Sequence, residues 1–144
     1  MIIVDVNLLI YAVNTLSVHH KPAKKWWEDA LSRGETIGLP WSTIIGFIRL
    51  TTRSGIGMNP VPTDAAFDIV EDWLSVSTIS VIEPGGRHLQ IVRNLLLQAR
   101  MAGDLTSDAH LAALALEHNA ELCSSDRDFA KFPGLRWRDP LSAR

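Results

Sequence analysis

The sequence predicts an α/β fold: a central parallel sheet of four to five strands covered by helices on both faces. Three observations lead there. Strand and helix signals alternate along the whole chain, the pattern of a parallel sheet joined by crossover helices. The first strand, Met1 to Val4, is apolar at every position and rich in branched residues, as a strand buried on both faces must be. No repeat, low-complexity tract or linker divides the 144 residues, so a single domain, 1–144, accounts for them.

The elements follow in order. After the first strand, Ala23, Trp26, Trp27, Ala30 and Leu31 recur at helical spacing, with Pro22 near the start and Gly34 just past the end. The opposite face carries Lys24 with Glu28 and Lys25 with Asp29, pairs at i,i+4 worth about 0.2–0.5 kcal/mol each. Thr36 to Leu39 reads as a short strand closed by Pro40, and Ser42 to Arg53 as a mostly apolar helix containing Gly46. Glycines and prolines make Gly55 to Pro62 a loop. Thr63 is a candidate cap for a helix with the stripe Ala66, Ile69, Val70, Trp73 and Leu74, and Ile79 to Ile82 is a third strand. Gly85-Gly86 precedes another helix, expected to run to about Gly103 in a C′ position. Thr106 is a candidate cap for a helix through Leu111, Leu114 and Ala115 to the neighbourhood of Asn119. Glu121 to Ser124 is a fourth strand, and Leu135 to Trp137 a short edge strand.

Composition excludes several functions. A formal charge of −2, from 14 Lys+Arg against 16 Asp+Glu, argues against holding nucleic acid by bulk charge, but leaves room for a local site. Cys123 is the single cysteine, so no internal disulfide forms and a reducing, cytoplasmic compartment is expected. The first residues lack the basic stretch of a secretory signal, and no apolar run approaches the ~20 residues of a membrane helix.

Ligands of an open α/β sheet bind beyond the carboxyl ends of the strands, where the connection direction reverses. The first strand ends at Asp5, with Asn7 two residues on, and the fourth leads to Asp126 and Asp128. Asp108 opens the helix before that fourth strand, and Asp104 lies four residues earlier, on the same side if the helix extends that far. Carboxylates brought together repel, and a hard divalent cation neutralises them. In the absence of a Cys/His set at ligand spacing, oxygen donors favour Mg²⁺ or Mn²⁺ over Zn²⁺. Such an ion lowers the pKa of water and stabilises charge on phosphoryl oxygens, as phosphodiester hydrolysis requires. Each acid alone also has a structural explanation. Asp108 suits the first turn of a helix, Asp126 a turn cap, and Asp128 a surface pair. Asp5, directly after a buried strand, has the fewest structural uses.

The blocks Asp5-Val6-Asn7, Thr106-Ser107-Asp108-Ala109-His110-Leu111-Ala112-Ala113-Leu114-Ala115 and Ser124-Ser125-Asp126-Arg127-Asp128-Phe129 resemble, in order and spacing, those of the PIN-domain ribonucleases. The sequence is most similar to the VapC-type toxins of bacterial toxin–antitoxin pairs, from Met1 to the Pro140-Leu141 tail. The resemblance implies a three-layer α/β/α sandwich, an acidic Mg²⁺ or Mn²⁺ site, and hydrolysis of RNA to 5′-phosphate and 3′-hydroxyl ends. It also implies a homodimer silenced by a small antitoxin whose tail crosses the cleft. By position, Asp5, Asp108 and Asp126 correspond to the first, third and fourth metal-binding acids, and Asn7 and Asp128 to supporting polar positions. The second acid is absent. Where the family places Glu on the third helix, this chain reads Gly46-Phe47-Ile48-Arg49. Metal binding is expected to survive, weakened, through the other three acids.

Two stretches without acids, Trp41 to Thr63 and Pro84 to Gly103, carry Arg49, Arg53 and Arg87 among their arginines. These are candidate phosphate contacts, with solvated helix faces as the alternative. Trp26, Trp27, Trp41 and Trp73 fall on apolar faces, where core packing explains them, and one or two are candidate interface anchors. The five histidines show no ligand spacing and read as surface or packing residues; Cys123 reads as buried and inert. The leading function is a Mg²⁺-dependent endoribonuclease toxin in which metal-activated water attacks the phosphodiester. One alternative is a catalytically weak or inactive domain that binds RNA or a partner, owing to Gly46. Another is a phosphatase using Asp5 as nucleophile, disfavoured because Asn7 stands where a second Asp is needed.

Overall fold

The computed structural model describes residues 1–55 and 57–142. Five strands form one wholly parallel sheet: β1 (Ile2–Val4), β2 (Ile37–Pro40), β3 (Ile79–Ile82), β4 (Glu121–Cys123) and β5 (Trp137–Arg138), in the spatial order β3-β2-β1-β4-β5. The chain builds outward from β1 to β3, then returns to the other side of β1 for β4 and β5. The reversal opens a crevice between the ends of β1 and β4.

Alternation along β1 sorts the molecule into layers. Ile2 and Val4 face one cluster, shared with α1 (Val6–Val13), α2 (His20–Ser32), α3 (Trp41–Thr52) and α4 (Thr63–Leu74). Ile3 faces the other, shared with α5 (His88–Ala99) and α6 (Leu105–Glu117). The result is the expected α/β/α sandwich. Trp26 and Trp27 are buried in the first layer, and Trp73 packs edge-on against both Trp27 and Phe47. Trp41 departs from the core expectation and is 51% exposed.

Several local expectations are corrected. α1 follows Asp5 directly and buries Leu8, Leu9 and Ala12, whereas the segment after the first strand had no assigned element. Its eight residues are too short for a strong periodic signal. α4 and α6 start beside Pro62 and Asp104, neither of which makes a side-chain cap bond, so Thr63 and Thr106 lie inside the first turns instead of capping them. α5 ends at Ala99 because Arg100 adopts a left-handed conformation (φ 57°) and returns its N–H to Leu96 and Leu97, short of Gly103. The edge strand sits at Trp137–Arg138. Within the expected loop Gly55–Pro62, Ile56 lies outside the described residues.

Candidate active site

The crevice is built from the backbone upward. Beyond the last residue of β1, the Asp5 N–H still bonds the Cys123 carbonyl at 3.0 Å, so the parallel pairing delivers Asp5 beside the residue that follows β4, Ser124. There the chain turns from strand to helix, and one Asp5 oxygen accepts the Val6 N–H at 2.7 Å. The other accepts the Ser124 hydroxyl at 2.7 Å. Ser124 is fully buried, and its oxygen also accepts the Asp126 N–H at 3.0 Å and the Asn7 amide at 3.2 Å. One hydroxyl therefore holds the first acid, the fourth acid's backbone and Asn7 in a fixed relation.

Asp126 then caps a 3-10 turn, Arg127–Lys131, by accepting the Asp128 N–H at 2.9 Å. Asp108, in the first turn of α6, completes the group: Asp108, Asp126 and Asp128 each offer a carboxylate oxygen, all within 4.8 Å of one another. Asp128, expected in a supporting role, is a full member of this cluster. It also pairs with Lys131 at 2.9 Å.

The electrostatics carry the mark of crowded acids. Burial raises the Asp5 pKa against the opposing bonds from Ser124 and Val6, and the charge of Asp126 adds to the rise. Asp108 is pushed up to about 6 by desolvation first, then by Asp126, Asp5 and Asp128, with Lys131 opposing. A donor set made only of oxygens, with raised pKa values and mutual repulsion, fits a hard divalent cation. The Asn7 Oδ1 is a buried acceptor without a hydrogen-bond partner among the described residues, which leaves one more oxygen available there.

Beside the acids lies a cleft of about 480 Å³ lined by Asp5, Asp108, His110, Thr43, Gly46 and Arg49 among others. Thr43 ties α3 to the sheet by donating to the Val4 carbonyl at 3.1 Å, which sets the next turn of α3, with Gly46, on the cleft. A Cβ on Gly46 would meet only Val6, at 3.6 Å, so ordinary packing leaves space for a side chain. Arg49 lines the cleft, but Arg53 at the end of α3 and Arg87 before α5 are exposed outside its lining. Asp104 is likewise not brought in. α6 begins at Leu105, so Asp104 precedes the first turn and is exposed.

Sequence reasoning missed three features. Ser124 was legible only as a strand residue, though its place two residues before Asp126 is the available signal. Lys131, three residues after Asp128, is a positive charge at the cluster. The third is a side-chain contact within the packing expected of the histidines: His88 and His110 bond each other, and His88 bonds Glu117. Burial and the neighbouring His88 lower the His110 pKa, with Glu117 opposing. Cys123 is buried as expected, its thiol pushed up to about 12 by desolvation.

Known proteins resemble this chain in both sequence and shape. The PIN domain family model matches residues 2–135. Ribonuclease VapC37 of Mycobacterium tuberculosis is 44% identical over 140 residues, covering 97% of each chain. Among solved structures, VapBC2 from Rickettsia felis, bound to a DNA fragment from its promoter, superposes with TM-score 0.70 at 18% identity, over 96% of this chain and 98% of that one. VapC20 of M. tuberculosis, described as a sarcin-ricin loop cleaving toxin, gives 0.68 at 19% identity, over 94% and 99%. With the strand order, the acids at the switch point and a relative this close over its whole length, the chain belongs to the PIN domain family, among its VapC-type members.

Proposed function

We propose that the chain, read as one domain from 1 to 144, is a divalent-metal-dependent endoribonuclease and the toxin of a toxin–antitoxin pair. The carrying observation is the cluster of Asp108, Asp126 and Asp128 within 4.8 Å of one another, beside an Asp5 locked by Ser124, in a chain 44% identical to a ribonuclease. Asp108, Asp126 and Asp128, whose carboxylate oxygens lie together, would hold the cation, Mg²⁺ or Mn²⁺, with Asp5 beside them and Asn7 in support. When bound, the cation supplies positive charge for the phosphoryl oxygens and for acidifying water. Ser124 keeps Asp5 and the Asp126 backbone in register, and Lys131 offsets part of the cluster's charge. Arg49 offers a guanidinium to a phosphate entering the cleft.

The VapC-type relatives support an RNA substrate and a small cognate antitoxin as partners, and the resemblance of the sequence adds a second copy of the chain. Among the described residues no helix is long and apolar enough to cross a membrane, and the proposed setting is the cytoplasm. The test is incubation of purified protein with single-stranded RNA, with Mg²⁺ or Mn²⁺ and with chelator. Metal-dependent products ending in 5′-phosphate, lost in Asp5→Asn, support the reading. Gly46 favours a second reading, a binding domain with little turnover. RNA that is bound but left intact at saturating metal would select it.

A further inference from the structure

The outer face of α3 joins apolar and cationic side chains beside the cleft. Trp41, Ile45 and Arg49 follow one another at i, i+4 and i+8, so they form one ridge along the helix. Trp41 is 51% exposed and Ile45 57%, large apolar side chains that the fold leaves in water. The ridge ends on Arg49, which lines the cleft, and Ser42, the residue after Trp41, lines it as well. Trp41 therefore stands on the rim, just outside the lining.

The sheet fixes that position. β1 and β2 pair in parallel, with Ile3 opposite Gly38, so the two strands end side by side and α3 starts from the same edge as Asp5. Pro40 closes β2 and leads straight into Trp41, and Thr43 bonds the Val4 carbonyl. The indole is thus carried on rigid backbone. It has no aromatic neighbour among the described residues, whereas Trp26, Trp27 and Trp73 pack against other rings. Charge indicates what the ring faces. From Trp41 to Thr63 the chain carries Arg49 and Arg53 and no acid, which suits a polyanion. A second copy docked by a two-fold axis would present this same face, which holds no acid to pair with the arginines.

We propose that the Trp41 indole is a stacking platform for one unpaired nucleobase of an RNA whose backbone passes Arg49, making Trp41 a residue by which the protein selects single-stranded over paired RNA. The inference rests on the ribonuclease reading and deepens it. Cations that follow the backbone and an aromatic face for a base are together what holds a single strand. A base inside a duplex has both faces covered by its neighbours, whereas an unstacked base has one to offer. About 12 Å of helix rise separates Trp41 from Arg49, so the stacked base flanks the phosphate at the arginine.

The probes are a labelled single-stranded RNA of mixed sequence, the duplex of the same sequence, and single strands carrying one abasic nucleotide at successive positions. Affinity is measured by fluorescence anisotropy with divalent ions chelated, and tryptophan emission is followed in parallel. Trp41→Phe keeps a ring, and Trp41→Leu keeps apolar bulk without one. In the parent, RNA should quench emission, and one abasic position should cost more affinity than the others. Trp41→Leu should weaken single-stranded binding about 5–100-fold, the worth of one stacked base, leave the duplex nearly unchanged and remove the extra cost of that abasic position. Trp41→Phe should keep most of the affinity and lose the quench. Equal weakening on single-stranded and duplex RNA, Leu matching Phe, or parent emission unchanged by RNA would overturn the proposal. So would a parent dimer that Trp41→Leu splits in sedimentation, which would assign the ring to a second copy. The abasic series and the quench in the parent need no variant to fold. Cleavage is read separately with Mn²⁺ restored. Failure of the parent to cut RNA defeats the ribonuclease reading, whereas cutting with single-strand selectivity unaltered in Trp41→Leu defeats only the role of Trp41.

Discussion

The two walls of the cleft differ in how tightly the fold specifies them. On the acid wall, Asp5, Asp126 and Asn7 converge on one buried hydroxyl, and Asp108 and Asp128 close in around Asp126. On the α3 wall, the Thr43 bond to Val4 and the buried Ile44 and Phe47 set the helix against the sheet, but Gly46 presents no side chain to the cleft. A preorganised anionic wall faces a permissive one. Under the proposed function, the first wall carries the chemistry and the second tunes it.

The sharpest break comes from removing an acid. Asp126→Asn keeps the shape and the turn but lowers the negative charge, and we expect cleavage to fall by more than the ~10–100-fold that loss of an outer-sphere partner costs. Near-parental rates in this variant would sink the acid-wall account. Ser124→Ala comes next. It strips Asp5 of one bond and leaves the Asp126 N–H and the Asn7 amide without that acceptor. Divalent-ion affinity, measured by calorimetry, should drop about 10–100-fold with the fold retained. Unchanged affinity would mean that the hydroxyl only fills space.

How much of this was legible in the sequence differs between the walls. Asp5, Asp108 and Asp126 are readable because strand exits and helix starts follow from hydrophobic patterning, and the switch-point rule then says where acids matter. Ser124 is not, because a small polar residue at a strand end has many uses and its value here comes from a partner 119 positions away. The His110-His88-Glu117 row was hidden for the same reason: its bonds span 22 and 29 positions, between helices whose relative placement no periodicity encodes. α1 and the true ends of α5 and α6 depended on caps and one left-handed arginine, the kind of local detail that patterning leaves open.

The α3 wall can be sharpened by filling it. Gly46→Glu puts a carboxylate on the cleft at a site whose nearest neighbour, Val6, sits at ordinary van der Waals distance. We expect several-fold tighter Mg²⁺ or Mn²⁺ binding, together with about 0.5–1 kcal/mol from replacing a helical glycine. Equal metal affinity in the two proteins would remove the expectation that Gly46 weakens metal binding. A smaller effect separates the arginines. Arg49→Glu should slow RNA cleavage several-fold at low salt and flatten the salt dependence of binding by roughly 0.7 in log–log slope for each phosphate it ceases to neutralise. Arg87→Glu, outside the cleft lining, should do less. The reverse order would move the substrate path off α3.

The smallest effect reads the acid wall's crowding directly. The Asp108 carboxyl titrates near 6 in the folded protein against an ordinary 3.8, because desolvation and the charges of Asp126, Asp5 and Asp128 disfavour its ionised form. Between those values the folded state binds more protons than the unfolded one, so this group's contribution to stability declines as pH rises through the window. Without divalent ions, the parent's melting temperature should therefore fall relative to that of Asp108→Asn between about pH 4 and pH 6.5. The group is partly open to solvent, which keeps the difference to a few degrees at most. Adding Mn²⁺ should stabilise the parent more than the variant at pH 7, because the cation binds the ionised form that crowding disfavours. Parallel pH profiles for the two proteins would show that Asp108 does not feel its neighbours, and the electrostatic case for a cation on this wall would then rest on Asp5 alone.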